Sequence, residues 1–202
     1  MDIRVLRDAT ADDHRLVEAK FPLMASTLTI REYGALLQRL HALVATWEDF
    51  AAANLPPRYQ YLALQRARAH LLASDLRTLG LDPYPCAAPT LPAFRGTPEI
   101  LGGMYVMEGS RLGGQLIGRH LERHFGSDLR GACTFFKGFE QETTVRWREF
   151  IAVLENDIGE DDAARAVDGA HLMFRTFSEW MGPSEMDDGV RCTARKPHVT
   201  HE

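Results

Sequence analysis

Apolar residues recur every three to four positions along most of the chain, with polar residues between them. That spacing is the period of an amphipathic helix, and no stretch shows the strict alternation of a half-buried strand. A capping box, Thr29-Ile-Arg-Glu32, marks the start of one long helix, and Pro56-Pro57 marks its end near Asn54. The predicted helices span residues 3–19, 30–54, 59–79, 98–126, 138–156 and 160–181.

Glycine and proline residues separate these helices. Gly80 is a predicted C-terminal stop, and the four prolines within residues 81–96 predict a loop. Thr97-Pro98 supplies an N-cap and a first-turn proline for the helix that follows. Because no internal repeat or domain boundary is visible, we predict an all-α fold. It is a single helical bundle over residues 1–181, followed by a polar, mobile tail over residues 182–202.

The helix over residues 98–126 is unusual because its central part is rich in glycine. Each interior glycine costs about 1 kcal/mol relative to alanine, so another interaction must offset them. Gly109 and Gly113 are four residues apart, as are Gly114 and Gly118, so two adjacent strips of the helix lack side chains. Two explanations remain open: a tight crossing with another helix, or a flat ligand that lies on the backbone.

Composition excludes several classes of protein. The chain has 202 residues, 45% of them apolar, and its formal net charge of −5 gives no basic surface for nucleic acid. It begins without a signal-peptide run and has no stretch of about 20 apolar residues that would span a bilayer. We therefore expect a soluble, cytoplasmic protein with no membrane partner. The three cysteines are widely spaced, which predicts reduced thiols rather than disulfides or a cysteine zinc site.

One histidine on the first predicted helix stands out. His14 and Glu18 are i, i+4 neighbours, so the Glu18 carboxylate lies within reach of the imidazole. A histidine that ligates a metal usually donates its other ring nitrogen to such a group, which fixes the tautomer and raises the basicity of the ligand. Taken alone, such a pair is more often two polar side chains on a solvated surface than a metal site.

Two strings of residues, considered together, resemble the haem oxygenase family, in particular its bacterial branch. The first is Leu6-Arg-Asp-Ala-Thr with His14 and Glu18 after it, and the second is Tyr105-Val-Met-Glu-Gly-Ser-Arg-Leu-Gly-Gly. Later matches follow in the order typical of the family, at Phe135-Phe136, Trp147-Arg-Glu-Phe150, Leu154, Ala170, Phe174, Phe177 and Trp180. The resemblance covers residues 3–181 and implies a helical bundle of the haem oxygenase type with a glycine-kinked distal helix.

The resemblance also implies a role for each matching residue. His14 corresponds to the proximal ligand of the haem iron, and Glu18 to the carboxylate that orients it. Gly109 and Gly113 correspond to the distal glycines above the haem face where dioxygen binds. The positions that contact the haem propionates correspond to Arg7, Tyr105 and Arg148, with Arg146 as the alternative to Arg148. No Cys-x-x-Cys-His motif is present, so the haem would be held without a covalent link.

The implied activity is haem degradation, with haem as both cofactor and substrate. Dioxygen and electrons from a ferredoxin, a flavodoxin or a flavoprotein reductase would convert haem to biliverdin, carbon monoxide and iron. A neutral imidazole ligand suits this chemistry better than a thiolate, which would favour cleavage of the O–O bond. Two alternatives remain: a haem-binding or haem-transfer protein without turnover, and a thiaminase-like relative of the same fold that binds no haem.

The chain departs from the animal members of the family at Ser110. Those enzymes carry an aspartate at this position, where it anchors the water network that delivers protons. The bacterial branch also has serine in this motif, so we place Ser110 with the catalytic residues. Because an ordinary hydroxyl titrates far from neutrality, we expect water and backbone groups, rather than the Ser110 hydroxyl as an acid, to deliver the protons.

Overall fold

The computed structural model describes residues 1–83, 88–138 and 142–182, and within these ranges it is helical with no strand. The α-helices are α1 (Ile3–Ala9), α2 (Ala11–Lys20), α3 (Ile30–Asn54), α4 (Gln60–Arg66), α5 (Ala69–Thr78), α6 (Thr97–Phe125), α7 (Thr134–Lys137), α8 (Thr143–Asp157) and α9 (Glu160–Met181). Two short 3₁₀ turns cover Pro57–Tyr59 and Gly126–Leu129. The predicted all-α fold is confirmed. The tail over residues 183–202, Cys86 and Cys192 lie outside the described residues.

Several helix boundaries lie where the sequence places them. The capping box is formed in both directions: Glu32 N–H donates to Thr29 Oγ1 at 3.2 Å, and Thr29 N–H donates to Glu32 Oε2 at 2.8 Å. Gly80, just after the end of α5, has a φ of +75°. This left-handed conformation favours glycine and ends the helix. Gly126 follows α6 with a φ of +53°, as a C-cap should. These signals are local, and local sequence is enough to determine them.

Other boundaries differ from the prediction. The first predicted helix is divided at Thr10, whose hydroxyl donates to the Leu6 carbonyl at 2.8 Å. The third is divided after Arg66, and α5 begins anew because Glu48 accepts hydrogen bonds from the N–H groups of Arg68 and Ala69. The N-cap of α6 is Gly96 rather than Thr97, and no side chain caps that end. Long-range contacts at Glu48 decided the second of these breaks.

The longest helix, α6, crosses α9 at the centre of the bundle. A Cβ atom built on Gly102 would lie 1.9 Å from the Ala166 carbonyl oxygen, and one built on Gly169 would lie 2.0 Å from the Glu99 carbonyl oxygen. Real atoms cannot approach so closely, so this crossing requires glycine on both helices. Backbone thus packs on backbone, and the two helices form one rigid unit against which the other helices pack.

The remaining helices close the core around this crossing. Tyr33 on α3 is fully buried and its hydroxyl donates to the Ala132 carbonyl at 2.6 Å, which joins α3 to the segment before α7. Phe150 on α8 is also fully buried. By contrast, α2 contains no buried residue and lies along α9 at the edge of the bundle. Among the described helices, none is both long and apolar enough to cross a membrane.

Candidate functional site

A cavity of about 420 Å³ lies between α2 and α6. Its walls are mainly apolar side chains, among them Val17, Leu40, Val44, Phe135, Phe174 and Phe177. Its volume falls in the range of about 300–1,000 Å³ that is typical of small-molecule and cofactor sites. His14 and Glu18 contribute polar groups from α2, and Arg68 and Ser110 contribute polar groups from the α4–α5 break and from α6. The cavity is therefore an apolar pocket with two separate groups of polar side chains.

The α2 wall presents His14 to the cavity. Its Nδ1 atom lies 3.6 Å from Glu18 Oε2, slightly beyond hydrogen-bond distance, and the two side chains are 59% and 68% exposed. The ring packs edge-on against Phe174, with 6.1 Å between the ring centroids. Because Nδ1 is the nitrogen that faces the carboxylate, Nε2 is the nitrogen left for an external ligand or metal.

Contacts with α9 hold the helix that carries His14. Asp13 Oδ2 and His171 Nδ1 are 2.5 Å apart, and Lys20 Nζ donates to Ser178 Oγ at 2.8 Å. The structure shows that the partner of His171 is Asp13, next to His14. Because α2 has no fully buried residue, these polar contacts add to the packing of Val17 against the core and of the His14 ring on Phe174.

The glycines of α6 divide into two groups. A Cβ atom on Gly113 would meet nothing within 4 Å, and one on Gly109 would meet only the Trp147 ring, at 3.6 Å. Both residues line the cavity. By contrast, a Cβ atom on Gly114 would lie 2.7 Å from the Phe136 carbonyl oxygen, so this glycine permits α7 to pack against α6. Close packing therefore accounts for Gly114, while Gly109 and Gly113 are left without a tight packing contact, and a ligand on their strip stays a prediction.

The polar groups beside these glycines are Ser110 and Arg68. Ser110 Oγ accepts a hydrogen bond from Arg68 Nη2 at 2.6 Å and donates one to the Met107 carbonyl at 2.8 Å. Arg68 Nη2 also donates to the same carbonyl at 2.8 Å. Sequence reasoning missed Arg68. Its only sequence signal is a second arginine, two residues after Arg66, at the end of an otherwise apolar helical run.

A cluster of buried charges lies behind α6. Glu108 accepts from Arg66 at 2.7 Å and from Arg111 at 2.8 Å, and all three side chains are at most 6% exposed. Burial, and then the charge of Arg111, lower the pKa of Arg68 to about 9. Burial likewise raises the pKa of the Glu48 carboxyl, although hydrogen bonds from backbone N–H groups oppose that shift. A small void of about 20 Å³ among these residues has room for about one water molecule.

The structure brings some of the predicted propionate contacts to the cavity and not others. Tyr105 lines the cavity, where its ring packs 5.5 Å from Trp147 and burial raises the pKa of its phenol. Arg7 is exposed and pairs with Asp8 at 3.1 Å, and it does not line the cavity. Arg148 is exposed on α8 and also lies outside the cavity wall. Roles for these two arginines stay predictions.

The residues that line the cavity fit a planar macrocycle whose iron His14 would hold. His14 lines the cavity from α2, and the bare backbone at Gly113 lines it from α6 with open space beside it. The porphyrin supplies four ligands to its iron, so one histidine is enough on the protein side. Among the described residues, no group of three or more His, Cys, Asp or Glu side chains could hold a bare metal ion.

Comparison with known proteins gives a consistent result. The family model described as "Heme oxygenase" matches residues 3–182. A curated protein named "Heme oxygenase" from Xanthomonas campestris pv. campestris (strain 8004) is 36% identical over 151 residues, covering 72% of this chain and 86% of that protein. No solved structure gives a significant match. With a family match over nearly its whole length and the helical bundle expected for it, the chain belongs to the haem oxygenase family.

Proposed function

We propose that this protein is a haem oxygenase of the bacterial type that converts haem to biliverdin, carbon monoxide and iron. The observation that carries the proposal is that His14 and the bare backbone of Gly113, on two different helices, line one apolar cavity. Bound haem would supply the iron that reacts with dioxygen and the macrocycle that is oxidised. Electrons would come from a ferredoxin, a flavodoxin or a flavoprotein reductase.

In this proposal His14 is the proximal ligand through Nε2, with Nδ1 directed towards Glu18. A carboxylate near Nδ1 fixes the tautomer, so that Nε2 carries the lone pair that binds a metal. The distance of 3.6 Å between Nδ1 and Oε2 requires only a small side-chain adjustment for a hydrogen bond to form. Two contacts with α9, Asp13 with His171 and the His14 ring with Phe174, would hold the imidazole in place in the cavity wall.

On the distal side, Gly109 and Gly113 would leave room for a small ligand beside the haem edge. Ser110 lies between them in sequence and supplies a hydroxyl at the same wall. The apolar side chains around the cavity would exclude water from the macrocycle, and Tyr105, with Arg7 and Arg148 farther out, would contact the propionates. α6 is one continuous helix over Thr97–Phe125. The predicted kink at its glycines therefore remains part of this proposal.

The test is a pair of histidine variants. We expect purified wild-type protein to bind hemin with a Soret band, and to consume that band when a reductant and oxygen are added. His14→Ala should lose the native Soret position and turnover, with partial recovery on addition of imidazole. The matched control is His70→Ala, because His70 is an exposed histidine on α5 outside the cavity wall.

The outcomes separate the alternatives. A native Soret band in His14→Ala would eliminate His14 as the ligand. Haem binding by the wild-type protein without any conversion to biliverdin under reducing conditions would instead identify a haem-binding or haem-transfer protein. Absence of hemin binding by the wild-type protein would remove the proposed function altogether.

A further inference from the structure

Arg68 occupies a special position between the cavity and the charge cluster. Arg68 lies in the short break between α4 and α5 and is only 4% exposed. It lines both the cavity and the small void behind α6. Its guanidinium is 4.3 Å above the centre of the Phe135 ring, which is also part of the cavity wall. A cation on an aromatic face is held in place as well as stabilised. The guanidinium is therefore a fixed feature of the wall.

The direction of the hydrogen bonds follows from the chemistry of the groups. An arginine can only donate, so Ser110 Oγ must accept from Arg68 Nη2. The hydroxyl hydrogen of Ser110 is then directed to the Met107 carbonyl, which lies 2.8 Å away. The Ser110 proton is thus engaged within α6, and the hydroxyl offers the cavity a lone pair rather than an acid. This geometry assigns the donor role at this wall to Arg68.

Arg68 is the arginine in the cavity wall, and its guanidinium has no carboxylate partner of its own among the described residues. Glu108 is shared by Arg66 and Arg111, and Glu48 accepts from the backbone N–H of Arg68 rather than from its guanidinium. Within the described ranges, no ion pair joins the Arg68 guanidinium to a carboxylate. A pKa of about 9 keeps Arg68 protonated at neutral pH. A buried positive charge in an apolar wall interacts strongly with a nearby anion.

Resting on the proposed function, we propose that Arg68 is a positioning residue of the distal wall. It holds the Ser110 hydroxyl as an acceptor and would place a fixed positive charge at the cavity wall, where a small anionic ligand of the haem iron could bind. In this role it stabilises negative charge on the ligand, whereas a residue needed only for packing would not distinguish an anion from a neutral molecule.

The experiment compares a charged with a neutral ligand. Ferric haem complexes of the wild type, Arg68→Met, Arg68→Lys and Ser110→Ala are titrated with sodium fluoride, and the ferrous complexes with carbon monoxide. Apo-protein thermal unfolding checks that each variant is folded. The matched control is Arg58→Met, because Arg58 is an exposed arginine that lies over the Tyr59 ring and outside the cavity wall.

We expect fluoride affinity to fall about tenfold or more in Arg68→Met, as for loss of one charge-assisted hydrogen bond. Carbon monoxide affinity should change far less, and Arg68→Lys should keep most of the fluoride affinity because it retains the charge. Ser110→Ala should bind fluoride at least as well as the wild type, since removal of the hydroxyl leaves Arg68 Nη2 available to the ligand.

Two results would overturn the role of Arg68. The first is unchanged fluoride affinity in folded, haem-loaded Arg68→Met. The second is a tenfold loss of fluoride affinity in Ser110→Ala, which would make the hydroxyl the group that binds the anion. Because Ser110→Ala does not depend on Arg68→Met folding, it tests the role of Arg68 even if that variant does not fold. Failure of the wild-type protein to bind haem would contradict the proposed function instead, so the two failures are distinguishable.

Discussion

The neighbouring glycines Gly113 and Gly114 should respond to substitution in opposite ways. A Cβ atom at Gly113 meets nothing within 4 Å, so Gly113→Ala gains helix propensity, about 1 kcal/mol, without a clash. For a domain of this size that gain corresponds to a rise in Tm of about 2–4 °C. A Cβ atom at Gly114 would lie 2.7 Å from the Phe136 carbonyl oxygen, which is backbone and cannot rotate away.

The cost at Gly114 is that of overpacking, about 1–3 kcal/mol. The same propensity gain of about 1 kcal/mol applies to Gly114→Ala, so its net effect is a loss of up to about 2 kcal/mol. The difference between the two alanine variants is therefore about 1–3 kcal/mol in the free energy of unfolding, and Gly113→Ala is the more stable. Thermal and urea unfolding of the apo-protein measure this difference directly.

A larger side chain at Gly113 separates function from stability. Gly113→Leu should fold at least as well as the wild type, because leucine is nearly as good a helix former as alanine. It should nevertheless lose haem turnover, since its side chain extends into the cavity opposite His14. The readouts are apo-protein Tm, a hemin titration at the Soret band, and conversion to biliverdin. Unfolding of Gly113→Leu, or full activity in a folded Gly113→Leu, would refute the assignment of this strip to the ligand.

Two further predictions concern charged groups. His171→Ala should weaken haem affinity by up to about fivefold, because the half-exposed contact of His171 with Asp13 contributes at most about 1 kcal/mol to holding α2; an equal loss in Arg175→Ala, an exposed neighbour on α9, would show that the effect is not specific to this contact. Glu48 has a folded-state pKa raised above its ordinary value, chiefly by burial, so the folded protein binds this proton more tightly than the unfolded chain does. Its contribution to stability is fully present below the ordinary carboxyl pKa of about 4.3 and is lost as pH rises through the folded-state pKa. The stability of Glu48→Gln relative to the wild type should therefore improve between about pH 5 and about pH 8 in urea unfolding, and a change in the opposite direction would contradict the stated effect of burial.

The sequence by itself determined the class of fold and identified the two helices that carry the candidate site. Hydrophobic periodicity predicted helices throughout, and the capping box at Thr29 and the C-cap at Gly126 are local signals that the structure confirms. His14 and Glu18 were identified from their spacing on one helix, and the glycine strips from theirs on another. These features depend on residues three or four positions apart, and helical geometry fixes their relative placement.

Only the tertiary structure decided which of the cavity-lining glycines are tightly packed. Gly109 and Gly114 are five residues apart on the same helix and both line the cavity, yet a Cβ atom on Gly109 would meet only the Trp147 ring and one on Gly114 would clash with the backbone of Phe136. That distinction depends on where α7 and α8 lie, and helical spacing carries no information about neighbouring helices. The contacts of Arg68 with Ser110 and of His171 with Asp13 join residues 42 and 158 positions apart. Such pairings become visible only when packing of the bundle brings distant helices together, because the chain holds no local signal for them.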